Sequence, residues 1–423
     1  MKLLVVGGGG REHAIVMKLA ESPKVDKIYC APGNGGISKY AECFDINAKD
    51  IDGIVELAKK LSVDYVFVAP DDPLVLGMVD ALNANGFKTF GPDKAAAIIE
   101  GSKVFSKDLM KKYGIPTAEY NVFSNPNDAV DFIKESNKYP TVIKADGLAL
   151  GKGVVIAQNE KEALDAIESI MTDKIFGESG SNIVIEEYLE GPEVSVLSFT
   201  DGKTVVPMVS SMDHKRAFDN DEGPNTGGMG TIAPNPYYTS DVAKECMEKI
   251  FIPTINAMNA ENRTFKGCLY FGLMLTADGP KVIEYNCRFG DPETQVVLPL
   301  LKSDLLTVMQ ATTKGTLADT PVEFYDDSAC CVVLASDGYP VKYEKGFEIT
   351  IGERALKTTY VAGAKLKEGK LYTDGGRVLG VTATGKNLKE AVKKAYELCD
   401  EVEFENKYYR HDIGGRALKA LED

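Results

Sequence analysis

Thr141-Val142-Ile143-Lys144-Ala145-Asp146-Gly147-Leu148-Ala149-Leu150-Gly151-Lys152-Gly153-Val154-Val155-Ile156 decides how this chain is read. It carries the glycines and lysine of a phosphate loop, yet three residues separate Gly147 from Gly151, Gly153 follows Lys152, and a β-branched run comes next. A Walker loop needs four intervening residues and a Ser or Thr that opens a helix. The order here is strand, glycine loop, strand. Such a hairpin is either a plain mobile connection or a lid whose N–H groups, with Lys144, neutralise a polyphosphate from above.

Upstream, short apolar runs at 3–6, 27–30 and 65–69 alternate with helical periodicity from about Arg11 and over 51–61. That rhythm predicts a parallel βαβ unit, closed at Gly91-Pro92-Asp93, with a boundary near residue 100. Between its first strand and helix stands Gly7-Gly8-Gly9-Gly10-Arg11-Glu12-His13. Free N–H groups at a helix start favour an anion there, with a tight turn that needs only small residues as the plainer alternative. A dinucleotide fingerprint would require a glycine where Glu12 or His13 stands, and an acid where strand two ends in Cys30-Ala31-Pro32.

Downstream, helices are predicted over 103–113, 127–136 and 161–171, with strands at 141–144, 154–157 and 182–185, a small α+β module. A Gly/Pro-rich connection follows at 213–236, then a helix over 240–260. Strands at 267–275 and 281–285 meet at Asp278-Gly279-Pro280 and form an antiparallel hairpin. From about 325 the tail reads as a third, smaller β-rich domain ending in a helix over 388–399.

Composition bounds the function. A chain of 423 residues exceeds one core, so two or three domains are expected. With 48 Lys plus Arg against 63 Asp plus Glu the net charge is -15, which argues against nucleic acid or anionic membrane as partner; an anionic substrate must meet local cations. The 8 cysteines form no C-x-x-C pair, so free buried thiols are expected. Leu3 to Val6 runs into glycines, Arg11 and Glu12 before a signal-peptide core could form, and no apolar stretch is long enough to span a bilayer. We expect a cytoplasmic location.

Three further stretches carry chemistry. In Lys281-Val282-Ile283-Glu284-Tyr285-Asn286-Cys287-Arg288-Phe289-Gly290-Asp291-Pro292-Glu293, strand alternation sets Val282, Glu284, Asn286 and Arg288 on one face, with Tyr285 and Cys287 on the other. Two hard oxygen ligands and a cation suit Mg²⁺ bridging phosphates, with Arg288 meeting charge that develops during transfer; a solvated polar face is the plainer alternative. Glu186-Glu187-Tyr188 and Glu193 follow an apolar strand, where acids either accept from ribose hydroxyls or are merely solvated. The loop Asp213-His214-Lys215-Arg216, continuing to Gly223-Pro224-Asn225-Thr226-Gly227-Gly228-Met229-Gly230, is long enough to be functional or disordered, and His214 taken alone reads as an incidental loop histidine.

Taken together, Gly9 to His13, the 144–153 hairpin, Glu186-Glu187-Tyr188, the 213–230 loop and Arg288-Phe289-Gly290-Asp291-Pro292-Glu293 resemble the glycinamide ribonucleotide synthetases of the ATP-grasp superfamily, and the resemblance runs to Tyr409-Arg410-His411-Asp412-Ile413-Gly414. It implies a mixed α/β and α+β multidomain fold: an N-terminal parallel domain at 1–100, an ATP-grasp domain at 101–324 with a glycine-rich lid subdomain at about 120–190, and a small C-terminal β-rich domain at 325–423. It implies ligation of glycine to 5-phosphoribosylamine with ATP and Mg²⁺ or Mn²⁺, by a cytoplasmic monomer. By similarity, Lys103, Lys144, Gly151, Gly153, Glu186, Tyr188 and Glu193 line the ATP site, and Glu284 with Asn286 hold the metal. Arg288, Lys215 and Asp213 take the catalytic roles. Gly9, Gly10, Arg11, Asp213, His214, Lys215, Arg288, Gly290 and Asp291 face glycine and the sugar phosphate. No acid lies in 269–276 to add a metal ligand, so water and phosphate oxygens are expected to complete the shell. The chain departs from the family at Asp71, where Glu is common, and at Gly415, where an aromatic residue is common. Another ATP-grasp ligase or carboxylase is the nearest rival reading; a non-catalytic nucleotide-binding relative is a further one.

Overall fold

Runs of β-branched and aromatic residues between glycine turns make five parallel strands: β1 (Lys2–Gly7), β2 (Lys27–Pro32), β3 (Glu42–Cys43), β4 (Tyr65–Val68) and β5 (Lys88–Phe90), in the order β3-β2-β1-β4-β5. The computed structural model describes residues 1–149 and 153–422. Helices α1 (Gly10–Ala20), α2 (Ile51–Leu61), α3 (Asp71–Leu76) and α4 (Met78–Ala84) accompany this sheet. Asp50 caps α2 by accepting from the Gly53 N–H, and Ser62 ends it in the left-handed region. The strand order reverses at β1, so the loops after β1 and β4 open one crevice, the usual ligand position in such sheets. Arg11 and Asp71 stand at the starts of α1 and α3, directly after those loops.

Helices α5 (Lys94–Gly101) and α6 (Lys103–Tyr113) lead onward, and the Ser102 hydroxyl caps α6. A four-stranded sheet follows, β6 (Tyr120–Phe123), β7 (Thr141–Ala145), β8 (Val154–Ala157) and β9 (Ile183–Glu187), ordered β6-β9-β7-β8. Ala129, Ile133, Ile143, Ile167 and Ile185 form its own core with the helices Pro126–Ser136 and Glu160–Ile167. Next come β10 (Glu193–Thr200), β11 (Val205–Pro207), β12 (Met212–Asp213), β13 (Arg216–Phe218), β14 (Glu222–Asn225), β15 (Gly230–Ala233), β16 (Gly267–Thr276) and β17 (Gly279–Asn286). Strands β11-β10-β16-β17 make a second sheet, and the functional cleft lies between it and the β6–β9 sheet.

The third layer is built around β18 (Ser328–Ser336), in a sheet ordered β12, β15, β18, Arg377–Gly385, Thr359–Val361 and covered by the helix Leu388–Cys399. Two of its strands thus come from before residue 234. The sequence reading of 213–236 as a bare connection is corrected here: β12 to β15 lie within it or at its edge, and Gly230 to Ala233 pair antiparallel with Val332 to Ala329. Strands this short, broken by glycine, have no readable period, and their pairing is remote in sequence.

Two predicted helices are also modified. The helix over 240–260 is Ser240–Cys246 and Ile252–Ala260 joined by a π-helical turn at Met247–Phe251. Pro253 lacks the N–H for an ordinary helical bond and its ring crowds the preceding turn, which the wider turn relieves. The helix over 161–171 likewise ends in a π turn at Glu168–Thr172.

Candidate functional site

The cleft encloses about 1010 Å³ and takes residues from all three layers. At one end, Glu186 on β9 is buried, and its Oε2 accepts from Lys144 Nζ at 3.0 Å and lies 3.2 Å from Lys107 Nζ. Among the described residues its Oε1 has no hydrogen-bond partner. Met110, Val142 and Ile156 give this end apolar walls. Lys144 also donates to the Ile283 carbonyl at 3.1 Å, and Lys103 to the Gly147 carbonyl at 3.3 Å. Burial pushes the Lys103 ammonium below its ordinary pKa. Tyr188 and Glu193 line the rim, where Glu193 pairs with Lys215 at 3.1 Å. Gly153 closes the β7–β8 hairpin by accepting from the Ala145 N–H at 2.8 Å, and Ser179 holds the near side through the Leu148 carbonyl. The candidate Gly151 lies outside the described residues.

In the middle stands β17. Gly272 pairs with Glu284 but Leu273 with Val282, so Ile283 is an extra residue, a β-bulge. This corrects the simple alternation: Val282 turns into the core with Tyr285 and Cys287, while Ile283, Glu284 and Asn286 line the cleft. Glu284 lies 3.8 Å from Lys215, and Asn286 accepts from Arg288 at 3.2 Å. Burial alone would raise the Glu284 pKa, but Lys215, Lys144, Lys103 and Arg288 hold the carboxyl below its usual value. Among the described residues no group of three or more His, Cys, Asp or Glu could hold a metal. Glu284 and Asn286 are hard oxygen donors side by side, the chemistry Mg²⁺ takes when phosphates and water supply the rest.

At the far end, Arg288 pairs with Glu100 at 3.0 Å and lies 3.9 Å from Asp71, so the shortened acid still reaches the cleft. Arg11 Nη1 donates to the Phe289 carbonyl at 3.1 Å, and the Arg11 backbone N–H to Asp291 Oδ2 at 3.3 Å. Gln295 donates to Asp291 at 2.8 Å, and Arg377 donates to the backbone carbonyls of Asp291 and Gly227 at 2.8 and 2.7 Å. The α1 N-terminus is thus occupied by the chain's own carboxylates, since Gly9 N–H donates to Glu12 at 2.6 Å. Gly9, Gly10 and Gly290 do not line the cleft but permit close packing. A Cβ at Gly10 would lie 2.8 Å from the Gln295 amide nitrogen, and one at Gly290 2.2 Å from Glu293.

Asp213 and Lys215 enter the cleft, and His214 between them does not, because extended backbone sends alternate side chains to opposite sides. The His214 ring is buried between the Gly230 carbonyl at 3.1 Å and the Gly414 N–H at 3.2 Å, and burial lowers its pKa to about 4. Burial and the neighbouring Glu293 push the Asp213 carboxyl well above its usual pKa. Gly228 stands against this acid at φ +112, where a Cβ would lie 2.7 Å from Asp213 Oδ1.

Sequence reasoning missed Lys107, Glu100, Tyr270, Glu293 and Arg377 as lining residues. Lys107 had a signal, being one helical turn from Lys103 on α6. Glu293 lay inside the quoted motif; Arg377 comes from the C-terminal sheet with no local mark.

Comparison with known proteins is consistent along the chain. Models of the phosphoribosylglycinamide synthetase N domain, ATP-grasp (A) domain and C domain match residues 1–100, 101–294 and 329–416. A phosphoribosylamine–glycine ligase of Caldanaerobacter subterraneus subsp. tengcongensis is 50% identical over 98% of this chain and 99% of its own. One of Clostridium acetobutylicum is 50% identical over the same shares. The crystal structure of the Thermotoga maritima phosphoribosylamine–glycine ligase superposes with a TM-score of 0.86 at 37% identity, covering 98% of this chain and 100% of that one. With all three layers matched in order and the cleft built where they meet, the chain belongs to the phosphoribosylglycinamide synthetase family.

Proposed function

We propose that this enzyme ligates glycine to 5-phosphoribosylamine, converting ATP to ADP and phosphate and giving glycinamide ribonucleotide, the second step of purine biosynthesis. The observation that carries the reading is the single cleft that joins an apolar end with a buried acceptor, a row of lysines, a hard-oxygen pair and a carboxylate–guanidinium end. The base of ATP lies against Glu186 and its ribose near Tyr188 and Glu193, while Lys103 and Lys144 neutralise the phosphates. A divalent cation held by Glu284 and Asn286 would polarise the transferring phosphoryl group.

A glycine carboxylate oxygen attacks the terminal phosphorus and the bond to the ADP oxygen breaks, giving glycyl phosphate. The amine nitrogen of phosphoribosylamine then attacks the acyl carbon, phosphate leaves with the acyl–oxygen bond, and the amine gives up a proton. Arg288 and Lys215 stabilise the charge that develops on the moving oxygens. Asp213, Asp291 and Arg11 orient glycine and the sugar phosphate. Glycyl phosphate hydrolyses in open water, so the 144–153 hairpin serves as the lid that excludes it.

We take the working form to be a cytoplasmic monomer without nucleic-acid or membrane partners; the net charge of -15 supports the former exclusion. Among the described residues no helix is long and apolar enough to cross a membrane. The test is ADP release with MgATP, leaving out in turn glycine and phosphoribosylamine made in place from ribose 5-phosphate and ammonia. ADP formed only with both substrates, together with glycinamide ribonucleotide, is expected. No turnover despite ATP binding would keep the fold and move the function to another ATP-grasp substrate or to regulation.

A further inference from the structure

Lys107 sits where the reaction itself asks for no cation. Its Nζ donates to Thr117 Oγ1 at 2.8 Å, lies 3.2 Å from Glu186 Oε2, and stands 5.7 Å from the centre of the Tyr120 ring. The Thr117 hydroxyl in turn donates to the Val282 carbonyl at 2.7 Å, so its oxygen is left to accept from Lys107. Lys144 already pairs with the same Glu186 oxygen at 3.0 Å. A second buried ammonium on one carboxylate oxygen is costly: burial brings the Lys107 pKa down to about 8, and a buried ion pair is a poor source of stability. Its effect is geometric.

A carboxylate with a single partner can present either oxygen. With both cations on Oε2, the plane of the Glu186 carboxylate is set, and Oε1 is left buried and, among the described residues, without a donor beside the apolar walls of the cleft. Such an oxygen demands an N–H. An exocyclic amine on a purine supplies it; a carbonyl at the same ring position sets two acceptors against each other. Lys144, anchored on the Ile283 carbonyl, sets one contact to Oε2, and Lys107, anchored on Thr117, supplies the second that holds the carboxylate in place.

We infer that Lys107 is a positioning residue for base selection: anchored by Thr117, it holds Glu186 so that Oε1 accepts from an amino-purine and rejects an oxo-purine nucleotide. This rests on the nucleotide site proposed above. The test compares ATP with inosine triphosphate, which differs in carrying oxygen in place of that amine. Binding of each is measured by calorimetry without glycine or amine, and kcat and KM with both substrates. In the parent protein ATP is preferred. In Lys107→Met the ATP-to-ITP preference falls roughly tenfold to a hundredfold, mostly through KM, and Lys107→Arg restores much of it. A merely structural lysine would weaken both nucleotides equally; an unchanged ratio overturns the inference. Should Lys107→Met fail to fold, Thr117→Val removes the anchor alone, and an unchanged ratio there overturns it too. If the parent binds neither nucleotide, the functional reading itself falls, a result distinct from the others.

Discussion

Replacing Phe289 with alanine tests whether the site is held in place by the packing beneath it. Its ring is 1% exposed and meets Phe67 and Phe90 of the N-terminal sheet at 5.9 and 6.3 Å and Phe199 of β10 at 5.9 Å. Its backbone carbonyl accepts from Arg11 and Arg288 at 3.1 and 3.3 Å. One residue therefore fastens two sheets and carries the loop that bears Arg288, Asp291 and Glu293. A Phe→Ala change in such a core costs about 3–5 kcal/mol. Unfolding entropy of roughly 2.1 cal/mol/K per residue gives about 0.9 kcal/mol/K over 423 residues, so Tm falls by about 3–6 °C. The loop also loses its seat, and a displacement near 1 Å costs about a hundredfold in kcat/KM. Phe289→Leu keeps most of the volume and costs less than about 1.5 kcal/mol. Differential scanning calorimetry and the ADP-release assay read both quantities. A Tm within 1 °C of the parent would refute the packing argument. A lowered Tm with unchanged kcat/KM would mean that Arg377 and Gln295 hold the loop without Phe289.

Two other perturbations probe the charges. Glu284→Gln keeps the shape but removes the carboxylate that Lys215 and the candidate cation share; turnover falls by about a hundredfold or more and loses its Mg²⁺ dependence, and near-normal metal-dependent turnover would sink the assignment. Acid should destabilise the fold through His13 and His214, which burial lowers from 6.5 to about 3 and about 4. Above pH 6.5 both are neutral folded or unfolded and contribute nothing. As pH falls through 6.5 the unfolded chain binds protons first, and by pH 5 each histidine has cost roughly 2 kcal/mol. Thermal midpoints at pH 7 and 5 for the parent, His13→Gln and His214→Gln check this; an equal acid slope in all three contradicts it.

What the sequence made legible follows the range over which each signal acts. The predicted helices over 51–61 and 103–113 are α2 and α6 to the residue, because period, Asp50 or Ser102 caps and the Ser62 or Gly114 ends all lie within one segment. Lys144, Glu186, Glu284 and Asn286 stand in short local motifs on or beside apolar strands, but only the family resemblance, not any local signal, set them in one cleft; the structure lines one cleft with all four. The bulge at Ile283 was invisible, since it is defined by pairing with Gly272 and Leu273 rather than by its own residues. Arg377 and Glu100 reach the site across layers, and His214 leaves it for the Gly414 backbone, 200 residues away. Contacts of that separation have no sequence period to betray them.

The descent of β15 into the sheet around β18 bears on how this chain can be cut. A fragment starting at 325 would keep β18 but bare the edge that Gly230 to Ala233 covers, exposing the N–H and C=O groups of a wholly buried strand. A fragment ending at 324 would strand β15 in solvent with the glycine loop at its foot. Neither half has a closed hydrogen-bond ladder, so both are candidates for swapping or aggregation, and severed halves should recover function only when refolded together.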